Sequence, residues 1–205
     1  MTQEIPPAAG LLLAGGAGRR MGGPKALVEL GGEPLVRRAL RALHQGGCTP
    51  LVVVLGAAAT EVRAALPDGV RAVVASAWAD GMGASLRAGL AAMADLDPVP
   101  DAVLVHLVDL PGVTDAAIAR LTAGATPDVL RRAAYDGEAA HPVLIGRTHW
   151  AAVSTSATGD AGARGYLAGH PQLELVECGD IADAGDVDTP EELARFRARS
   201  ATATD

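Results

Sequence analysis

Short apolar runs alternate along the chain with segments in which apolar residues recur three and four positions apart. The runs predict β-strands at Leu11–Ala14, Leu51–Leu55, Val70–Ala75, Ala102–Val108, Asp128–Tyr135 and Leu173–Glu177. The helical spacing predicts helices at Pro34–Gln45, Thr60–Leu66, Ala84–Asp95 and Thr114–Thr122. Strands that are apolar on both faces and alternate with helices are typical of a mainly parallel sheet covered by helices. The pattern therefore predicts an α/β fold.

The second half of the chain is less regular than the first. Asp136-Gly137 predicts a hairpin or a turn. Helices are predicted at Thr148–Ser154, Ala161–Ala168 and Pro190–Arg199. Residues 200–205 are expected to be disordered. No linker or internal repeat divides the 205 residues, so we expect a single domain over residues 1–205.

Composition and charge exclude several classes of function. Hydrophobic residues make up 49% of the chain, enough for a sizeable core, and the net charge is −7. The acidic balance argues against a general surface for nucleic acid or for anionic membranes. No signal peptide is evident, and no apolar run is long enough to span a membrane. Cys48 and Cys178 are far apart, which favours free thiols, and we expect a cytoplasmic protein.

The most informative segment is a glycine-rich loop after the first predicted strand. Five glycines lie within residues 15–23, with Arg19, Arg20 and Lys25 among or beside them. Glycines let the backbone turn tightly and let its N–H groups converge on phosphate oxygens. Three cations in an acidic protein add to that attraction. The loop therefore predicts a binding site for the phosphates of a nucleotide.

Two better-known phosphate loops do not fit this segment. The spacing of Gly16, Gly18 and Gly22 is one residue longer than the dinucleotide fingerprint, and no acid for a ribose follows the next predicted strand. A P-loop needs serine or threonine after its lysine, whereas Ala26 follows Lys25. A glycine-rich turn with solvated arginines is the remaining structural alternative.

The continuation of the loop resembles the nucleotidyltransferases of the molybdenum cofactor. The family's opening signature is matched by Leu13–Gly16, Arg20–Gly22 and Lys25. Further matching segments are Gly81–Gly89, Val108–Pro111, Tyr135–Gly137, His141–Leu144, Gly159–Arg164 and Asp186–Glu192. The matches favour the cytidylyltransferase and nicotine-blue-oxidoreductase-like branch. The resemblance implies a three-layer α/β/α, Rossmann-like fold, with a nucleotide-binding half at about 9–112 and an acceptor-binding half at about 113–199.

The resemblance also implies roles for particular residues. The nucleotide-binding residues are Leu13, Ala14, Gly15, Gly16, Gly18, Arg19, Lys25 and Ser85. Lys25, Arg19 and Asp109 are the expected catalytic residues, and Asp109 and Asp188 the expected ligands of Mg²⁺, which takes carboxylate and phosphate oxygens. His141, Asp160 and Arg164 are expected beside the acceptor.

Several of these residues have a plain structural alternative. Asp109 could cap the helix predicted near Thr114, and Ser85 could cap the helix that it begins. Asp186 competes with Asp188 as second metal ligand, and we expect one of the two only to cap the helix at Pro190. Arg20 could turn outward. His106 lies inside a strand run and is expected to be a core histidine, whereas a surface loop is the alternative place for His141.

The implied reaction is attack by an acceptor phosphate on the α-phosphate of a nucleoside triphosphate, with release of pyrophosphate. The acceptor is expected to be of the molybdopterin type, and contact with the enzymes that receive the cofactor is expected to be transient.

Among members of the family that the chain resembles, Gly15 is typical of guanylyl transfer. Pro24 replaces the aspartate that guanylyl members carry before Lys25, and Ser85–Gly89 favours cytidylyl members, so we expect CTP over GTP. Ala140 replaces a glycine common in relatives.

Two other functions are alternatives to nucleotidyl transfer. One is an NAD(P)H-dependent oxidoreductase, because one branch of the family carries a dye-reductase name. The loop spacing and the missing ribose acid argue against it. The other is a non-catalytic cofactor-binding protein, against which the retention of Lys25, Asp109 and Asp188 weighs.

Overall fold

A seven-stranded sheet lies at the centre of the molecule in the computed structural model, which describes residues 8–202. The strands are β1 (Ala9–Ala14), β2 (Glu29–Leu30), β3 (Glu33–Pro34), β4 (Leu51–Leu55), β5 (Arg71–Val74), β6 (Ala102–Leu107), β7 (Leu130–Tyr135), β8 (Glu138–Gly146) and β9 (Glu174–Glu177). The helices are α1 (Leu35–Gln45), α2 (Ala59–Ala64), α3 (Met82–Ala94), α4 (Asp115–Thr122), α5 (Trp150–Ser156), α6 (Arg164–Leu167) and α7 (Pro190–Thr202).

The sheet has the strand order β5-β4-β1-β6-β8-β7-β9 and is mainly parallel, as predicted. Strand β8 alone among these seven is antiparallel to its neighbours β6 and β7. The remaining neighbours pair in parallel, so the carboxyl ends of β1, β4 and β6 meet at one edge. Loops at that edge are where open α/β sheets bind ligands.

Helices cover both faces of the sheet, which confirms the three-layer architecture. Leu12 of β1 packs in a core with residues of α1, α4 and α7. Its neighbours Leu11 and Leu13 point the other way and pack with α3, α5 and α6. Alternate side chains of a strand point to opposite faces, so a strand buried on both sides must be apolar throughout. None of the helices in residues 8–202 is long and apolar enough to cross a membrane.

The structure contains three strands that the sequence pattern did not predict, namely β2, β3 and β8. The small hairpin of β2 and β3 turns at Gly31-Gly32, where both glycines have positive φ. Strand β8 was obscured by Pro142, which lacks an N–H for the ladder. The register between β7 and β8 shifts near Arg132, and Val143 onward pairs with both neighbours. The predicted turn at Asp136-Gly137 is the tip of this hairpin.

The boundaries of two predicted helices were wrong. The segment predicted as one helix at Ala161–Ala168 is a 3₁₀ turn, Gly159–Ala161, followed by α6, because Gly162 has φ of 53° and interrupts the helix. Helix α7 continues to Thr202, so residues 200–202 are helical rather than disordered. Residues 203–205 lie outside the described part of the chain.

Candidate active site

The glycine-rich loop leaves β1 at the edge where the parallel strands end. Gly18 has φ of 58°, and a Cβ there would lie 1.9 Å from the carbonyl oxygen of Gly23. The Gly18 carbonyl accepts hydrogen bonds from Met21 and Gly23, which close the loop on itself. Only glycine fits this backbone. In the described chain the N–H groups of Ala17 and Gly18 donate to no other protein group, so they are free for a ligand.

Lys25 lies between two carboxylates that come from distant parts of the chain. Its Nζ donates to Asp109 at 2.6 Å and also to Asp188. The three side chains are only 14–22% exposed. Burial disfavours the ammonium, but Asp109 and Asp188 outweigh burial and raise the pKa of Lys25. The hydrogen bond from Lys25 in turn lowers the pKa of Asp188, so this ion cluster is charged at neutral pH.

Backbone contacts bring Asp188 to Asp109. The N–H of Val187 donates to the carbonyl of Asp109 at 2.9 Å, and the Val187 side chain is buried in the core. Asp188 therefore faces Lys25, whereas Asp186 is exposed to solvent. The structure thus joins Asp188, and not Asp186, to the lysine.

Neither Asp186 nor Asp188 caps helix α7, contrary to expectation. Thr189 and Glu192 form a capping box, in which the Thr189 hydroxyl accepts from the N–H of Glu192 and the Glu192 carboxylate accepts from the N–H of Thr189. The same carboxylate accepts from the N–H of Asp188 at 2.8 Å. The capping box provides hydrogen-bond partners for the N–H groups at the start of α7, so the Asp188 side chain remains available to Lys25. Asp109 likewise caps no helix, because Thr114 caps α4.

The two arginines of the loop have different surroundings. Arg20 does not simply turn outward: it donates to Asp188, although its side chain is 73% exposed. Arg19 is exposed and lines the cleft beside Lys25. The loop therefore supplies three cations, of which two are neutralised by Asp188 and Asp109.

Lys25, Asp109 and the two arginines border a cleft of about 530 Å³, a size that suits a small-molecule ligand. It is lined by the loop from Gly15 to Arg20 with Lys25, Asp109, Trp78 and Ser85, and by residues near the start of α3. Leu13 lies on its wall. Ser85 is not a helix cap, because α3 begins at Met82. Its buried hydroxyl lies 3.3 Å from the position that a Cβ on Gly15 would take.

The start of α3 is fixed by the segment that precedes α6. A Cβ on Gly81 would lie 2.5 Å from the Gly159 carbonyl carbon, and one on Gly83 would lie 2.9 Å from Ala157. Asp160 accepts a 3.4 Å hydrogen bond from the N–H of Met82. Asp160 therefore borders the cleft from its far side and is bonded to helix α3 rather than to a cation.

A second cavity, of about 120 Å³, adjoins the cleft and shares Leu13, Met82, Leu107 and Asp160 with it. His141 and Arg164, both predicted beside the acceptor, line this cavity. His141 lies on strand β8, not on a surface loop. Burial first, and then the charge of Arg132, lower the pKa of His141 to about 4. His106 is buried in the core as expected.

Arg132 is the residue at this cavity that the sequence analysis missed. It lies on β7 opposite Val143 and lines the cavity together with His141 and Arg164. The sequence feature that could have identified Arg132 is its position between Leu130 and Ala133, two buried residues of a strand. Such a position normally holds an apolar side chain.

The two carboxylates at Lys25 also fit a divalent cation. Within residues 8–202 no group of three or more histidine, cysteine, aspartate or glutamate side chains could hold a metal without further ligands. Asp109 and Asp188 nevertheless converge on one cation, the Lys25 ammonium. Mg²⁺ is often held by one or two carboxylates with phosphate oxygens completing its shell. The donor set therefore suits a metal that arrives with a nucleotide.

Comparisons with known proteins agree with this arrangement. The family model described as the MobA-like NTP transferase domain matches residues 10–175. The nicotine blue oxidoreductase of Paenarthrobacter nicotinovorans is 39% identical over 203 residues, which cover 94% of this chain and 98% of that protein. The molybdenum cofactor guanylyltransferase of Rhodobacter capsulatus is 30% identical over 205 residues, or 93% of this chain and 95% of the relative.

A solved structure adds information about the metal. The Rv0371C protein of Mycobacterium tuberculosis, crystallised in complex with manganese, is 26% identical to this chain with a TM-score of 0.72. The match covers 93% of this chain and 98% of the solved one. A neighbour of the same fold therefore binds a divalent cation.

Proposed function

The chain belongs to the family of MobA-like NTP transferase domains, and on that premise we propose that it transfers CMP, in preference to GMP, from a nucleoside triphosphate to a phosphate acceptor. Nucleotidyl transfer itself is the activity of the family. The observation that carries the proposal is the Lys25 ammonium held between Asp109 and Asp188 beside free amide groups of the glycine loop. The same loop, cleft and carboxylates serve either base.

The reaction forms one phosphorus–oxygen bond and breaks another. An oxygen of the acceptor phosphate attacks the α-phosphorus, and the bond from that phosphorus to the bridging oxygen of the β-phosphate breaks. Pyrophosphate leaves with the electron pair. An acceptor phosphate is already anionic near neutral pH, so no general base is needed. Neutralising and aligning the crowded negative charge is the main task of the enzyme.

The residues of the cleft divide that task among them. The N–H groups of Ala17 and Gly18 and the guanidinium of Arg19 bind the β- and γ-phosphates. Lys25 moves from its carboxylates to the α-phosphate, where it stabilises the charge that develops during attack. Asp109 and Asp188 are the residues that would hold Mg²⁺ once the lysine has left them. The metal would supply positive charge that offsets the negative charge of the phosphates.

The base and ribose are placed by the cleft wall. We assign this role to Leu13, Gly15 and Gly16 and to Ser85, whose hydroxyl is buried against Gly15. Ala14 is buried and is not part of the cleft lining. The preference for CTP rests on Pro24 before Lys25 and on the segment Ser85–Gly89. The guanylyltransferase name of the Rhodobacter capsulatus relative favours GTP instead. The acceptor is proposed to be of the molybdopterin type, in line with that relative's name.

A thermal-shift screen of the full chain against CTP, GTP, ATP and UTP, each with and without Mg²⁺, tests the nucleotide assignment. We expect the largest rise in Tm with CTP and Mg²⁺ together. Pyrophosphate release with a molybdopterin-type acceptor then compares CTP with GTP directly. A clear preference for GTP would overturn the base assignment, and no stabilisation by any triphosphate would overturn nucleotidyl transfer.

An NAD(P)H-dependent oxidoreductase is the second candidate, because the 39% identical relative is named nicotine blue oxidoreductase. The glycine spacing in the cleft does not match a dinucleotide fingerprint. Binding of NADPH in the cleft, combined with no effect of CTP and Mg²⁺ on Tm, would favour this function. A non-catalytic cofactor-binding protein is excluded by any measured turnover.

A further inference from the structure

The cavity beside the nucleotide cleft has an apolar floor and a charged rim. The floor is formed by Leu86, Val105, Val143, Ile145 and Leu167. The polar side chains that line it are those of Arg132, His141, Asp160 and Arg164. These residues come from α3, β6, β7, β8 and the segment around α6, so only the folded protein assembles them.

The two arginines at the cavity have no carboxylate partner in the described chain. Arg132 donates through Nε to the carbonyl of Ala140 at 3.0 Å and forms no ion pair, and Arg164 forms none either. The neighbouring Arg131 differs, because it pairs with Glu174 at 2.7 Å and donates to two carbonyls near the end of α4.

Electrostatics disfavour this pair of cations as long as no anion is present. Burial first, and then the charge of Arg164, lower the pKa of Arg132. The cavity's own carboxylate, Asp160, accepts from the N–H of Met82 and pairs with neither arginine. Arginine presents a planar fork of N–H donors that matches a phosphate, so unpaired guanidinium groups at one cavity are typical of an oxyanion site.

We propose that Arg132 and Arg164 bind the phosphate of a small phosphate monoester whose apolar body lies on the floor of this cavity. The proposal deepens the proposed function, and rests on it only in identifying that monoester as the acceptor. Arg132 sets the specificity, because it is half-buried and fixed by Ala140, whereas Arg164 is exposed at the mouth. His141 is neutral near pH 7, because its pKa is lowered to about 4, so the positive charge at the cavity comes from the two arginines.

Calorimetric titration of the full, nucleotide-free chain with phenyl phosphate and with inorganic phosphate tests the site. We expect phenyl phosphate to bind more tightly, because its ring covers the apolar floor. Arg132→Gln and Arg164→Gln should each weaken phenyl phosphate about tenfold or more, the scale of a lost charge-assisted hydrogen bond. Arg131→Gln, on the same strand but paired with Glu174, is the matched control and should change nothing.

Two results would overturn the proposal. One is phenyl phosphate binding that survives Arg132→Gln and is lost in Arg19→Gln, which would place the phosphate in the glycine loop. The other is no binding to the wild-type chain at millimolar phenyl phosphate. If Arg132→Gln does not fold, Arg132→Lys replaces it and should bind more weakly than wild type, because lysine keeps the charge but not the planar fork.

A kinetic measurement separates this proposal from the proposed function. With a working acceptor, Arg132→Gln should raise the KM for the acceptor at least tenfold and leave the KM for the nucleoside triphosphate unchanged. An unchanged KM for the acceptor would contradict the role of Arg132. If no triphosphate is turned over, the proposed function fails, while the phenyl phosphate titration still decides whether the anion site exists.

Discussion

The nucleotide cleft and the cavity next to it both contain cationic side chains, but they differ in whether those cations are paired with carboxylates. In the cleft, Lys25 is neutralised by Asp109 and Asp188, and Arg20 shares Asp188. In the cavity, Arg132 and Arg164 have no such partners in residues 8–202. The proposed function requires Lys25 to leave its carboxylates for a phosphate, and these two carboxylates are the counter-ions that hold it in the meantime. A site that only captures an anion needs no such counter-ions, and keeps its arginines free.

The position of the two sites in the sheet explains this difference. The cleft lies where parallel strands β1 and β6 end, so two loops and the segment before α7 meet there and bring both signs of charge. The cavity lies over the antiparallel strands β7 and β8, where ladder residues supply one side chain each to the same face.

The largest expected effect concerns the paired cluster. Lys25→Ala and Asp109→Ala should each lower turnover at least ~100-fold, the scale of losing one electrostatic stabiliser of a transition state. Pyrophosphate release under saturating substrate measures this. Asp180→Asn, which removes a surface ion pair with Arg120, is the control and should keep normal turnover. Near-normal rates in both active-site variants would refute their roles.

A smaller effect separates two aspartates that are two positions apart. Asp188→Asn should lower turnover about tenfold or more and raise the Mg²⁺ concentration needed for half-maximal rate, because a carboxylate that faces Lys25 is lost. Asp186→Asn should have the rate and Mg²⁺ dependence of wild type, since Asp186 is exposed and the partners of Lys25 are Asp109 and Asp188. The reverse pattern would show that Asp186 is the second ligand.

In the ligand-free protein, removal of a cation should have opposite effects on stability at the two sites. Lys25→Met leaves Asp109 and Asp188 facing each other, so we expect Tm to fall by several degrees, since about 1 kcal/mol corresponds to roughly 2–4 °C in a chain of this length. Arg132→Met removes an unpaired cation and should leave Tm unchanged or raise it. Differential scanning calorimetry without ligand measures both, and a fall in Tm for Arg132→Met alone would reverse the comparison.

The buried histidines are expected to make the stability of the folded protein depend on pH. Burial, and the proximity of His141, lower the pKa of His106 to about 3, against an ordinary value of 6.5. Below pH 6.5 the unfolded chain binds protons that the folded chain does not, so stability falls between pH 6.5 and about 4. The carboxylate of Asp188, with its lowered pKa, loses its contribution only as pH falls further.

Urea unfolding at several pH values measures that dependence. His106→Leu should flatten the loss of stability between pH 6.5 and 4, by an amount on the order of a few kcal/mol. His44→Gln, on the exposed side of α1, is the control and should leave the slope unchanged. An equally steep slope in His106→Leu would show that other groups cause the acid instability.

The sequence by itself determined the layers of this protein and the centre of its chemistry. Apolar runs that are buried on both faces demand helices on both sides, and six of the sheet strands follow from that pattern alone. The glycines, Lys25 and Asp109 are local signals, because a tight loop and a strand end are built from neighbouring residues. Strand β8 was not predicted, because it contains Pro142, which lacks an N–H for the hydrogen-bond ladder. Its pairing becomes evident only with the neighbouring strands β6 and β7 in place.

Tertiary structure decided which distant residues meet. Asp188 is separated from Asp186 by one residue, and its place beside Lys25 depends on the backbone bond from Val187 to Asp109 and on the capping box that frees its side chain. Arg132 and Arg164 come from different segments and share a cavity only because α6 packs against the sheet that contains β7. Contacts of this kind depend on the packing of whole elements, and no local pattern in the chain encodes them.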